Sequence, residues 1–320
     1  MMDIVCTGSI AYDYLMTFPG CFKDHILPEK LSTISLSFLV DSMIRQRGGT
    51  APNIAYSIAL LGGKPRLMGT VGEDFMDYRV WLESHGIITQ SVKVIQGEYT
   101  ASFFATTDKS NAQIASFYPG AMAHAAELKL ADLTGNKPDL VVISPNDPTA
   151  MEDLPRECKE LGIPYLYDPS QQLVRMDAKT MREGVEGAFA LFLNDYEFGL
   201  LQKATGMSLE DVLNQVTLLV VTCGENGALV YADGKEFQIP VVPPDEILDP
   251  TGVGDAFRGG FLTGLRLEMD WQTCGQLGAL AATYCLEKCG PQSQSYTRSE
   301  FVKRYHAVFG DDEKVNILLK

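Results

Sequence analysis

The chain has 320 residues, with 41 Asp and Glu against 26 Lys and Arg, for a net charge of −15. That length suits an α/β architecture and is ample for a hydrophobic core. The charge argues against a surface built for nucleic-acid phosphates or an anionic membrane, though backbone N–H groups can still hold a small polyanion locally.

At the N-terminus, Met1-Met2-Asp3-Ile4-Val5-Cys6 has no basic segment leading into an apolar run, so no signal peptide is expected. No stretch approaches the ~18 apolar residues of a membrane span. The first strand is predicted at Asp3–Gly8. Alternation predicts further strands at Tyr12–Phe18 and Leu31–Phe38, separated by a loop with Pro and charges. A helix begins near Pro52, with Ile54, Ser57, Ile58 and Leu61 on one face and the proline in its first turn. Arg66–Val71 reads as a strand and Phe75–His85 as a helix.

From Val92 to Tyr118 the pattern changes to short strands. Tyr99–Thr107 and Gln113–Tyr118 flank a polar turn, Asp108-Lys109-Ser110-Asn111, and read as a hairpin. Strands then alternate with helices. The strands are Leu140–Ser144, Pro164–Tyr167, Ala190–Leu193 and Leu218–Thr222; the helices are about Ala150–Leu161, Asp195–Thr205 and Leu209–Gln215. That alternation implies right-handed βαβ units and a parallel sheet. Ala228–Tyr231 and Lys235–Ile239 form a hairpin around Asp233-Gly234, and the C-terminal quarter is helical. The expected fold class is α/β, with a mainly parallel sheet in one domain over 1–320. Segments 12–20, 31–38 and 97–119 form a small β-sheet lid over a pocket. Seven scattered cysteines, an odd number without disulfide-like spacing, fit a reducing cytoplasm. Cys285 and Cys289 read as small buried apolar residues rather than metal ligands.

The stretch Asp249-Pro250-Thr251-Gly252-Val253-Gly254-Asp255 opens an apolar helix pattern. Ala256, Gly260 and Gly264 form a small-residue stripe beside Phe257, Phe261 and Leu265. Glycines at a helix N-terminus suit an anion. A carboxylate at the same place suits a base that takes a proton from a hydroxyl while N–H groups hold developing negative charge. Helix capping alone also explains such an Asp.

Four further clusters follow predicted strands, where α/β proteins build sites. Gly8-Ser9-Ile10-Ala11-Tyr12-Asp13 offers a carboxylate for a vicinal diol, or a surface turn. Gly48-Gly49-Thr50-Ala51-Pro52-Asn53 offers close backbone approach and an amide, or a helix-entry turn. Asn194 and Glu197 suit a hydrated Mg²⁺ near phosphates or a helix cap. Thr222 and Gly224 suit nucleotide contact or a chain turn. Phe103 and Phe117, on the two hairpin strands, can stack on a planar base or pack a core or an interface.

Taken in order, these clusters resemble the ribokinase-like (PfkB) carbohydrate kinases over nearly the whole chain. Leu36–Asp41, Gln113–Met122 and Tyr167-Asp168-Pro169-Ser170-Gln171-Gln172 extend the likeness toward the adenosine kinases of bacteria. Val253 stands where many members have Ala, and Ala11 where sugar-specific members often carry a polar residue. The resemblance implies a ribokinase-like three-layer core and ATP-dependent phosphorylation of the ribose 5′-hydroxyl of adenosine, a purine-salvage reaction. It implies that Asp255 is the base and that the N–H groups of Gly252, Val253 and Gly254 form the anion hole. Asp13, Gly49 and Asn53 would hold the ribose, Ser9 and Ser37 would line the base pocket, and Phe103 and Phe117 would flank the base. Gln171, Gln172 and Arg175 would face the substrate or phosphates. Asn194, Thr222, Gly224 and Asp249 would serve ATP, and Glu197 would hold Mg²⁺ through water. A ribokinase or other sugar or nucleoside kinase of the same family is the alternative; a non-catalytic nucleoside-binding protein is a different functional class, which would keep the pocket but need not keep Asp255 and the glycines before it. The chain lacks G-x-G-x-x-G in its first strand–helix unit, which argues against an oxidoreductase. Lid strands with an exposed apolar face imply a homodimer in the cytoplasm.

Overall fold

The computed structural model describes residues 2–33 and 35–320. In chain order the elements are β1 (Ile4–Thr7), β2 (Ala11–Thr17), β3 (Ser42–Gly48), α1 (Thr50–Leu60), β4 (Arg66–Val71), α2 (Met76–Ser84) and β5 (Ile88–Val94). Next come β6 (Ala101–Thr107), β7 (Gln113–Tyr118), β8 (Leu140–Ile143), α3 (Pro148–Leu161), β9 (Tyr165–Tyr167), α4 (Ala178–Val185), β10 (Ala190–Asn194), α5 (Asp195–Thr205) and α6 (Leu209–Leu213). The last are β11 (Leu218–Thr222), β12 (Ala228–Ala232), β13 (Lys235–Ile239), α7 (Val253–Arg266), α8 (Trp271–Leu286) and α9 (Arg298–Phe309).

A nine-stranded sheet runs in the order β13-β12-β11-β10-β9-β8-β1-β4-β5. It is parallel from β5 to β11, and the β12–β13 hairpin closes one edge antiparallel. Two buried clusters, one on each face, explain why β8 is apolar throughout and why β1 and β10 are apolar up to their last residues, Thr7 and Asn194. The predicted face of α1 is buried against one of them: Ile54, Ser57 and Ile58 are nearly inaccessible. On α7 the small-residue stripe lets α8 approach closely. A Cβ on Gly260 would meet the Leu277 carbonyl oxygen at 2.5 Å, and one on Gly264 the Cys274 Cα at 2.9 Å. Beside it, Phe261 packs edge-on against Phe192, with ring centroids 5.1 Å apart. Among the described residues no helix is long and apolar enough to cross a membrane.

The second sheet has the order β3-β2-β6-β7. One expectation about this sheet is corrected here. The predicted strand Leu31–Phe38 does not form: Pro28–Thr33 is 3₁₀-helical and the chain then runs irregularly to β3, while Ile34 lies outside the described residues. Phe38 instead joins an aromatic cluster with Phe18 and Phe22, at 4.9 and 5.0 Å. The strand that pairs β2 is β3, in the register Ala11↔Gly48 to Thr17↔Ser42. Its alternation is hidden by Arg45 and Arg47, which lie over the rings of Tyr12 and Trp81. The strand containing Val92 is β5, which pairs with β4 in the core sheet. Cys289 is exposed, against expectation, while Cys285 is buried.

Candidate active site

The lid lies over the C-terminal ends of the core strands, where parallel sheets open their crevices. One row across the lid reads Gln46↔Asp13↔Phe103↔Phe117. Residues directly opposite on neighbouring strands share a face, so this row sets a carboxylate and two aromatic rings side by side. Asp13, Phe103 and Phe117 all line a cavity of about 570 Å³ between lid and core. Asp13 sits against Gly48, where a Cβ would meet its Oδ2 at 2.6 Å. Burial, with Asp249 adding to it, pushes the Asp13 carboxyl up to about 6.

The floor of the cavity comes from helix and strand ends. Gly49 precedes α1 at φ +96°, and a Cβ there would meet the Ser9 carbonyl oxygen at 2.4 Å, so only glycine fits. Ser9 Oγ accepts from the Thr50 N–H at 3.2 Å, which ties β1 to the start of α1. Helix α1 starts at Thr50, ahead of Pro52, and places Asn53 one turn in, facing α7.

Gly252 caps α7 in the left-handed region, φ +77°, where a Cβ would strike Pro291 at 2.3 Å. The Val253 N–H turns back to the Pro250 carbonyl at 3.3 Å, and the Ala256 N–H is already bonded to Gly252 at 2.9 Å. Among the described residues the N–H groups of Gly254 and Asp255 have no acceptor. They form the open positive end of the helix, suited to a phosphoryl group. Asp255 is half-buried on the cavity floor, and Asn53 Nδ2 donates to its Oδ2 at 2.8 Å. Desolvation by the surrounding protein pushes the Asp255 carboxyl up to about 7. Arg258 and the Asn53 hydrogen bond hold it down, and Asp168 and Glu197 add to the rise.

Asn194 and Glu197 form a reciprocal cap on α5: Asn194 Oδ1 accepts from the Glu197 N–H at 2.7 Å, and Glu197 Oε2 from the Asn194 N–H at 2.8 Å. Both also line the cavity, so the cap and a site role are compatible. Asn194 pairs with Thr222 across β10 and β11. Thr222 and Gly254 are shared with a second, largely apolar cavity of about 400 Å³. Its walls include Gly224, Val242, Val253 and Phe257. The two cavities therefore meet at the N-terminus of α7, with Asp255 on the side of the first.

Of the remaining residues singled out in the sequence, Gln171 lines the first cavity. Gln172 is buried and donates to the Asn146 carbonyl at 2.7 Å. Ser37 and Arg175 are exposed and do not line it. Asp249 ties loops together, accepting from the N–H groups of Thr251 and Gly290, both at 2.9 Å.

Sequence reasoning missed Asp168 and Arg258 as a pair. Arg258 Nη2 donates to Asp168 Oδ1 at 2.7 Å, Nε pairs with Oδ2, and Ser170 Oγ donates to Oδ1 at 2.6 Å. Both charges are almost wholly buried. The signals were present: Asp168 stands directly after a strand, and Arg258 lies one helical turn beyond Asp255. Their separation of 90 positions in sequence hid the contact.

Comparison with known proteins extends this geometry. Residues 1–298 match the pfkB family of carbohydrate kinases. A nucleoside kinase of Burkholderia thailandensis solved in complex with inosine is 36% identical, with 96% of this chain and 99% of that one aligned at a TM-score of 0.86. The same kinase solved in complex with ADP-inosine is 38% identical, covering 96% of each chain at a TM-score of 0.83. The nucleoside kinase of Methanocaldococcus jannaschii is 30% identical over 307 residues, 95% of this chain and 97% of its own. The fold is ribokinase-like and the activity is phosphotransfer to a hydroxyl acceptor. With residues 1–298 matched to its model, the chain belongs to the pfkB family of carbohydrate kinases.

Proposed function

We propose that this protein is an ATP-dependent nucleoside kinase acting on the ribose 5′-hydroxyl, with Asp255 as general base. The observation that carries the reading is the position of Asp255, at the meeting point of a polar acceptor cavity and an apolar cavity suited to the nucleotide base. Asp255 takes the hydroxyl proton, the oxygen bonds to the γ-phosphorus, and the bond to the leaving ADP breaks. The N–H groups of Gly254 and Asp255 hold the charge of the transferred group. Asp13 and Asn53 hold the ribose, and Phe103 and Phe117 flank the base.

Among the described residues no three His, Cys, Asp or Glu side chains form a metal cage. The single carboxylate of Glu197, with Oε2 committed to its cap, fits an ion carried mainly by nucleotide phosphates. Mg²⁺ bound there, with Glu197 touching it through water, would neutralise phosphate charge.

Adenosine is the acceptor proposed from the sequence. Inosine is the second, because it is the ligand of the Burkholderia thailandensis kinase. ADP release measured with adenosine, inosine, cytidine, ribose and fructose 6-phosphate tests both. Turnover of a nucleoside well above that of either sugar is expected. Ribose as the best acceptor would make the protein a sugar kinase.

The raised Asp255 carboxyl predicts the pH profile. The base works only when ionised, so kcat/KM should fall ~tenfold per unit as pH drops through about 7, and level off above it. An acid limb near the ordinary carboxylate value of 3.8 would remove the link between burial and rate.

The aromatic pair predicts a separate effect. Stacking a base on an aromatic ring contributes ~1–3 kcal/mol. Phe103→Ala and Phe117→Ala should therefore each raise KM for the nucleoside about 5- to 150-fold, with little change for ATP. All six residues of β7 are exposed at the edge of the lid sheet, which supports a homodimer joined through the lid. Sedimentation checks the assembly: a fully active monomer at working concentration would refute it.

A further inference from the structure

A buried chain of hydrogen bonds runs from the lid to Asp255. The Tyr78 hydroxyl, on α2, donates to the Gly48 carbonyl at the end of β3, at 3.0 Å. Gln292 Nε2 lies 2.6 Å from the Tyr78 hydroxyl and 2.7 Å from Asn53 Oδ1. Asn53 Nδ2 then donates to Asp255 Oδ2 at 2.8 Å. Tyr78, Gln292 and Asn53 are 0%, 7% and 5% exposed. Gln292 sits in the segment between α8 and α9, 239 residues from Asn53 in sequence.

The polarity of this chain follows from its ends. A backbone carbonyl can only accept, and so can an ionised carboxylate. A chain with an acceptor at each end requires one group that donates in both directions. The Tyr78 hydrogen is committed to Gly48, so its oxygen must accept from Gln292, and the group facing it must be the NH₂. The second N–H of that NH₂ points to Asn53, which must then offer its oxygen. The Asn53 NH₂ is left aimed at Asp255. Besides the Asp255 carboxylate itself, Gln292 is the group in this chain that holds the Asn53 amide with its NH₂ toward the base.

We propose that Gln292 is a positioning residue for phosphoryl transfer: its NH₂, donating to both Tyr78 and Asn53, turns the Asn53 amide so that it donates to Asp255 and keeps that carboxylate ionised and aimed at the acceptor hydroxyl. The inference rests on the reading of Asp255 as base. The other charged or titratable groups facing Asp255 are Arg258 on its own helix, Asp168 after β9, Glu197 on α5 and Cys285 on α8. None of them contacts Gln292 in this chain of bonds, so their influence is common to wild type and variant.

The experiment is a double-mutant cycle read over pH. Gln292→Met keeps the volume and removes both donors. It should lower kcat ~10- to 100-fold, as misplacement near a reacting group does, and move the acid limb of kcat/KM up by about 1 unit, because a donor to the ionised form is lost. In an Asn53→Leu background the same change should have no further effect on the limb. Should Gln292→Met fail to fold, Gln292→Leu carries the same test, since it has no N–H to give and adds no charge. An unmoved acid limb, or losses that multiply in the double mutant, would overturn the positioning role. Asp255→Asn run alongside separates the two readings. If it stays active, the base assignment fails; if it is dead while the limb of the Gln292 variant stays put, only the present inference fails.

Discussion

Asp255→Asn should lower kcat by ~10²–10⁴-fold, the usual contribution of a general base, with nucleoside binding nearly intact. The amide keeps the size of the carboxylate but cannot take the 5′-hydroxyl proton. Protein stability separates this loss from unfolding. The folded carboxyl titrates near 7 against an ordinary 3.8. A raised acid means the native state holds its ionised form at a cost. That cost is absent below the unfolded value, grows as pH rises between the two, and is fully present above about 7. Asn carries no such charge, so the variant should be at least as stable as wild type at pH 8 by urea denaturation. A variant that keeps a tenth or more of wild-type kcat would take Asp255 out of the base role. One that is inactive and also much less stable would point to a structural lesion.

The second large effect is expected at Arg258. Arg258→Met leaves Asp168, which is wholly inaccessible, without its guanidinium. Removing one partner of a buried ion pair costs ~3–5 kcal/mol, because the charge left behind has neither water nor a counter-ion. The variant should lose about that much unfolding free energy. Its remaining activity should shift to higher pH, since Arg258 helps hold the Asp255 carboxyl down. The double variant Asp168→Leu/Arg258→Met removes both charges and should recover most of the stability but not the pH profile. Equal destabilisation in single and double variants would mean that packing of the arginine stem, and not the ion pair, accounts for the loss.

Much of this architecture was legible locally. The apolar runs of β1, β8 and β10 are bounded by turn residues, so the core strands announced themselves. The stripe of Ala256, Gly260 and Gly264 marked α7 as a buried helix, and Gly252 to Asp255 marked an N-terminus suited to an anion. Those signals are periodicity, glycine geometry and helix polarity, all set within a few residues of chain. The lid was harder. Leu31–Phe38 alternates well but its described residues pair with no strand, while Arg45 and Arg47 disguise β3, whose partner is β2. Strand identity belongs to the pair and not to the segment, so alternation misleads wherever aromatic and cationic side chains trade places.

The sequence by itself determined the α/β class, the helix N-terminus that suits an anion and the carboxylate beside it. Each of these rests on neighbours in the chain. Only the tertiary structure decided which distant groups meet Asp255. Asn53 lies 202 residues away and the Arg258–Asp168 pair spans 90; Gln292 reaches Asp255 through Asn53. It also set the lid row that puts Asp13 beside Phe103 and Phe117. The physical reason is the same in every case. A hydrogen bond or ion pair between remote residues leaves no periodic mark on the chain, and burial, which makes those contacts strong and raises the Asp255 carboxyl, exists only once the elements have packed.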